Sequence, residues 1–203
     1  MHMLKSPLAL VAACCALAAP LAGAATYAVT NTTDSDPGSF RARVAEANAN
    51  TGPDTITFNV TGTINIDTPI NITDDLIIDG PGITLLTLNS RVTTGLDALL
   101  LDSGSRNDLD LEVSDLTLQQ DASSTRRLIR ADGQGSMTIS NAVLAGNGNE
   151  ILASSGGAVA AEGTDVVLEN CEIRNFATTY RGAGVLARAT GTETANLSVD
   201  NCL

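Results

Sequence analysis

Trp is absent from the 203 residues, and there are only two Tyr and three Phe. Aromatic side chains usually dominate cores and contact surfaces, so any interior this chain builds has to be aliphatic. Lys and His are almost missing too: Lys5 and His2 are the only ones, both within the first five positions. The chain after residue 25 therefore holds neither an imidazole, the usual carrier of protons near neutral pH, nor a lysine amine. What remains is lopsided. Asp and Glu number 23 against 11 Lys and Arg, a formal charge of −12, and removing Lys5 makes it more negative still. Such a balance excludes binding to nucleic acid or an anionic membrane through bulk charge. It fits a solvated acidic surface or a surface that attracts calcium.

Long apolar runs are missing as well, except at the start. "MHMLKSPLALVAACCALAAPLAGAAT" has a short positive region at Lys5, an Ala/Leu/Val run, and small residues around Ala22-Gly23-Ala24. This order reads as a signal peptide over 1–25, and predicts export to the extracellular space or cell surface. A transmembrane reading is weaker because Pro20 breaks the run. Val11-Ala12-Ala13-Cys14 also permits a lipoprotein signal, and a periplasmic location is the other alternative. Cysteine follows the same division: Cys14 and Cys15 lie in the leader, so Cys171 and Cys202 are the pair delivered to an oxidising compartment. The remaining chain is long enough for one domain with its own core.

A repeat organises that domain. Leu111-x-Val113-x-Asp115, Met137-x-Ile139-x-Asn141, Val166-x-Leu168-x-Asn170 and Leu197-x-Val199-x-Asn201 share one pattern. From 115 to 141 is 26 residues, from 141 to 170 is 29 and from 170 to 201 is 31. A weaker earlier copy is "LIIDGPG", with Ile77 and Asp79 in the equivalent places. Alternation with period two predicts strands with one apolar face, and repeats of this length predict a solenoid. Leucine-rich repeats would need a denser Leu/Asn consensus. The Gly- and Asn-rich intervening segments, such as "AGNGNE" and "RGAGVLARATG", predict turns joining two or three short strands per coil. The fold class expected is all-β: a right-handed parallel β-helix of about five or six coils, stacked at roughly 4.8 Å.

Stacked coils place like residues on like residues. Asp115, Asn141, Asn170 and Asn201 are expected to form a structural corner ladder, since Asn tolerates the left-handed backbone and its amide can hydrogen-bond along a stack. Asp79 is expected to extend it. The next column, Leu116, Ala142, Cys171 and Cys202, is small or apolar throughout. Two readings of its cysteines stand side by side. Stacked positions lie within the Cα range a disulfide accepts, and buried Cys also serves as a small hydrophobe.

Residues 26–52 are expected to cap the first coil, with residues 53–203 forming the coils. Ser39 can cap a short helix with Phe40, Val44 and Ala47 on one face and Arg41, Arg43 and Glu46 away from it, ended by Gly52-Pro53. The stretch "VTNTTDSDPGSFRARVAEANANTGPDTITFNVTGTINI" resembles the N-terminal part of bacterial secreted right-handed β-helix proteins. The relatives it suggests are the CSLREA-type group and polymorphic outer-membrane and autotransporter passenger proteins. Gly38, Ser39, Arg41, Ala47, Asn48, Asp54, Thr55, Ile56 and Phe58 carry the resemblance. Phe40 in place of Leu, Arg43 in place of Ala, and no Cys before Ser39 depart from it. It implies a surface-exposed module and says little of activity.

The function expected is a secreted or cell-surface module for adhesion or passive display, without catalysis. Its ligand would be an extracellular polysaccharide or a host or cell-surface molecule. A structural spacer of a longer surface protein is one alternative, and the absence of a closing segment after Asn201 suggests continuation beyond Leu203. The other is a polysaccharide lyase using Arg as base and calcium held by carboxylates. Its candidates are Asp108 and Asp110 near Arg106, or Asp132 near Arg126, Arg127 and Arg130. No catalytic, cofactor-binding or metal-binding residue is assigned. The acidic pairs Asp34/Asp36, Asp74/Asp75 and Asp108/Asp110 read as solvated turns, with calcium the alternative; none has an EF-hand or GGxGxD pattern.

Overall fold

A computed structural model describes residues 23–93, 97–102, 108–149, 157–178, 182–189 and 194–203. The expected signal segment before residue 23, and Arg106, lie outside the described residues. The described chain opens with strand β1 (Thr26–Val29) and helix α1 (Phe40–Ala49). Five coils of three strands follow. The first holds β2 (Asp54–Phe58), β3 (Gly62–Ile66) and β4 (Ile70–Ile72), and the second β5 (Leu76–Asp79), β6 (Leu86–Ser90) and β7 (Asp97–Asp102). The third holds β8 (Leu109–Ser114), β9 (Thr117–Gln120) and β10 (Arg127–Asp132); the fourth β11 (Gly135–Ser140), β12 (Val143–Ala145) and β13 (Val159–Glu162). The fifth holds β14 (Asp165–Glu169), β15 (Glu172–Arg174) and β16 (Val185–Arg188), and β17 (Leu197–Asp200) comes last. The strands stack into one seven-stranded and two five-stranded sheets with every pairing parallel, a parallel β-helix.

The register explains why aliphatic residues suffice. Leu76, Leu111, Met137, Val166 and Leu197 occupy one column of the seven-stranded sheet, and Ile78, Val113, Ile139, Leu168 and Val199 the next inward column. The second sheet contributes Ile64, Leu88, Leu118, Leu144 and Ile173, and the third Ile70, Leu99, Ile129, Val159 and Val185. Three short columns facing one another leave a narrow interior that branched aliphatic side chains fill without aromatic rings. Most of these side chains are fully buried, each stabilising the fold by about 1.5–3 kcal/mol. Alternation with polar residues on the outer face keeps the register fixed, because a slip by one residue would turn the whole apolar set outward.

The four strong repeats fall in register as their alignment predicts, but the earlier copy is one residue out. Asp79 pairs with Ser114, so Gly80 and not Asp79 stands opposite Asp115. Correspondingly Leu76 and Ile78 point inward while Ile77 is only half-buried. "LIID" offers Ile and Leu in both phases, so alternation alone could not choose. Gly80 is required sterically: a Cβ there would lie 2.3 Å from the Asp115 carbonyl oxygen.

At the N-terminal end, Ser39 caps α1 by accepting the Ala42 N–H through its hydroxyl, and Phe40, Val44 and Ala47 are buried. The helix packs against β1, β2 and β4, with the Phe40 ring 5.8 Å from that of Phe58. Residues 26–52 do more than cover the coil. β1 pairs with β2 and is itself the first rung of the seven-stranded sheet. Arg41, one of the outward helical residues, fastens helix to coil through Asp34 and the Thr68 and Pro69 carbonyls.

Leu168→Ala should cost about 2–5 kcal/mol in urea unfolding, whereas Thr138→Ala on the outer face should stay within about 0.5 kcal/mol. Equal losses would refute the inward and outward assignments.

Candidate functional site

The corner between the first and second sheets is one place where this regular surface is broken. In the third, fourth and fifth coils that corner takes only residues 115–116, 141–142 and 170–171, whereas in the second coil it takes 80–85. The longer excursion stands up as a wall beside the tight corners stacked next to it. Between them runs a groove of about 570 Å³ that spans the third to fifth coils, floored by Asp115, Asn141, Val143, Asn170 and Glu172. The wall presents Ile83 and Leu85, 44% and 48% exposed. Its backbone is held in place: Gly82 N–H donates to the Asp115 carbonyl, Thr117 Oγ1 donates to the Ile83 carbonyl, and Gly62 N–H donates to the Leu85 carbonyl.

The floor owes its shape to Asx residues in the left-handed backbone region. Asp115, Asn141, Asn170 and Asn201 have φ of 54°, 48°, 52° and 49°, a conformation that Asn and Asp tolerate better than other side-chain-bearing residues. Asn201 Nδ2 donates to Asn170 Oδ1 at 2.7 Å, and Asn170 Nδ2 to Asn141 Oδ1 at 3.4 Å. Asp115 shares their backbone conformation but is not tied into this amide run by its side chain. Each Asn keeps hydrogen-bonding capacity directed to solvent. The floor is thus a line of amides with carboxylates at Asp115 and Glu172, the latter paired with Arg174.

A second polar column, Asx at every position but Ser136, went unread in the sequence. Asp75, Asp110, Ser136, Asp165 and Asn196 each precede an inward apolar residue at the start of their strand. Asp75 Oδ1 accepts the Asp110 N–H, Asp110 Oδ1 accepts the Ser136 N–H and hydroxyl, and Asp165 Oδ1 accepts from Asn196. The same alignment that isolates the corner carries this signal one residue ahead of each repeat. It accounts for Asp110 structurally, as a clasp between coils.

The other acidic and basic candidates are taken up in ion pairs and backbone contacts. Arg130 pairs with Asp132, and Arg127 pairs with Asp97 on the neighbouring coil. Asp34 holds Arg41, and Asp74 Oδ1 accepts the Asp75 N–H. Among the described residues, no three His, Cys, Asp or Glu side chains converge as a metal site would require. Cys171 is buried and Cys202 half-buried, both as thiols.

The Arg127–Asp97 pair is enclosed, with an N–O distance of 2.6 Å and side chains 6% and 0% exposed. Loss of hydration raises the Asp97 carboxyl above its ordinary range, against the pull of Arg127. A raised folded-state value means that this group's contribution is fully present at acid pH below the unfolded carboxylate range. It is lost as pH rises through the folded value.

Comparison of the chain with protein-family models finds no match, and comparison with curated protein sequences finds none either.

Arg127→Met should destabilise the protein by about 3–5 kcal/mol at neutral pH by stranding the Asp97 charge. Part of that loss should return in mildly acidic buffer as Asp97 protonates. Adding Asp97→Asn should likewise restore stability at neutral pH; urea unfolding of both variants at the two pH values checks this.

Proposed function

We propose that this chain is a secreted or cell-surface module that binds and displays without catalysis, as the bacterial β-helix proteins resembled by its N-terminal segment imply. The observation that carries the reading is the corner groove: a straight, solvent-open channel combining a line of hydrogen-bonding amides with an apolar wall. A linear ligand fits such a channel, because successive coils present polar corner side chains at a spacing of about 4.8 Å. A neutral polysaccharide is the class favoured. Its hydroxyls can exchange hydrogen bonds with the Asn141 and Asn170 amides, and its C–H faces can cover Ile83 and Leu85. Asp115, Glu172 and the chain's net charge of −12 oppose a polyanion.

Display at a surface also suits the framework. The outer face of the seven-stranded sheet offers Glu112, Thr138, Val167 and Ser198 in one column and Ser114, Ser140, Glu169 and Asp200 in the next. No helix among the described residues is long and apolar enough to cross a membrane. The signal-like segment supports export as the route to the surface.

Binding to a panel of neutral and acidic polysaccharides, by co-sedimentation and calorimetry, tests the reading. The expectation is measurable affinity for a neutral chain and at least a tenfold loss in Ile83→Asp/Leu85→Ser, with unfolding unchanged. Affinity for no polysaccharide, or affinity indifferent to those substitutions, would remove the groove from consideration.

A further inference from the structure

Cys171 and Cys202 sit at matching positions of adjacent coils, immediately after the corner asparagines Asn170 and Asn201. The parallel pairing continues past β17 to this point. Asn170 N–H donates to the Asp200 carbonyl, Leu203 N–H to the Cys171 carbonyl, and Ile173 N–H to the Leu203 carbonyl. The two Cα atoms are therefore held at about the inter-strand spacing of 4.8 Å, within the 4.4–6.8 Å that disulfides span. The Cys202 sulfur accepts the Cys171 backbone N–H at 3.3 Å, so it already lies against its neighbour.

The two thiols differ in setting. Cys171 is 3% exposed and its sulfur lies 3.3 Å from both the Ile139 and the Glu169 carbonyl oxygens, either of which can accept its one S–H. Cys202 is only half-buried, two residues past the end of β17, the outermost described strand of the seven-stranded sheet. Leu197 and Val199, which continue the two inward columns on this strand, are 47% and 55% exposed.

We propose that Cys171 and Cys202 are a redox-closed clasp that binds β17 to the fifth coil, with a disulfide compound as the oxidant. The accessible Cys202 thiolate attacks one sulfur of the oxidant, forming a mixed disulfide and releasing one thiolate. Cys171 then turns about χ1 from the Ile139 carbonyl toward Cys202. Its thiol gives its proton to solvent, and its sulfur attacks Cys202 Sγ and expels the second thiolate. Two protein thiols are oxidised by two electrons, and the oxidant is reduced to two thiols, which take up the two protons. The order follows from access: burial shields Cys171 and pushes its thiol up from the ordinary range, so the thiolate that reacts first is not this one. The closed bond would tie a loop of 31 residues, reducing the freedom of the unfolded chain.

The test uses the full chain with Cys14→Ser and Cys15→Ser, treated with oxidised glutathione while folded, acid-quenched at intervals and mapped by mass spectrometry. The expected course is a transient glutathione adduct on Cys202 alone, followed by one intramolecular Cys171–Cys202 bond. The melting temperature should rise by several degrees and fall back on reduction. In a Cys202→Ser variant, Cys171 should stay unmodified on the same time scale. A lasting Cys202 adduct with Cys171 free, disulfides only between chains, or an oxidised form no more stable than the reduced one would each overturn the clasp. Rapid modification of Cys171 in the Cys202→Ser variant would overturn the order of attack. These readouts need no ligand, so they stand apart from the fate of the groove.

Discussion

Everything in this molecule depends on parallel hydrogen bonding between successive coils. Once each strand is paired in register with the one before it, a residue's neighbours above and below are set by its column. Leu111, Met137, Val166 and Leu197 must then suit one another as well as the opposite sheets. The interior becomes three sets of short columns, and the absence of Trp and the scarcity of Phe and Tyr follow as a fit to that narrow space. Corners are constrained in the same way. A backbone that must turn at the same height in every coil requires the left-handed conformation repeatedly, which accounts for Asx at 115, 141, 170 and 201.

The inter-coil pairing also governs where polar groups can be buried. The seven-stranded sheet closes its strand starts with Asp110 and Asp165, each accepting a backbone N–H from the next coil. Inside, Arg127 and Asp97 meet because they share a column; an isolated charge there would be far costlier than the pair. Acidic residues that could suggest catalysis or metal binding are in these cases spent on holding one coil to another.

Much of the fold was legible because the repeat is strict where it matters. The four Asx corners, the inward Leu, Val, Ile and Met and the Ser39-capped helix all follow from period-two and period-3.6 patterns. The second coil was misphased because "LIID" is apolar in both phases and its corner is a glycine; what fixes Gly80 is a contact with the Asp115 carbonyl, which no local pattern displays. The groove was unreadable for a related reason. It arises from the difference between a long corner at 80–85 and short ones beside it, and spacing alone did not show on which corner the extra length fell. The partner of Arg127 was hidden too, since Asp97 is 30 residues away and is paired only by register.

The amide run has a direction. Asn201 donates to Asn170 and Asn170 to Asn141, always toward the N-terminal end, and all strands of the sheet below point the same way. The hydrogen-bonded run stops at Asn141, and Asp115 stands one coil beyond it with the same backbone conformation but outside the run. The surface is therefore an arrow rather than a symmetric track. A linear molecule with distinct ends would meet unlike environments at its two extremities and would lie along the coils in one orientation only.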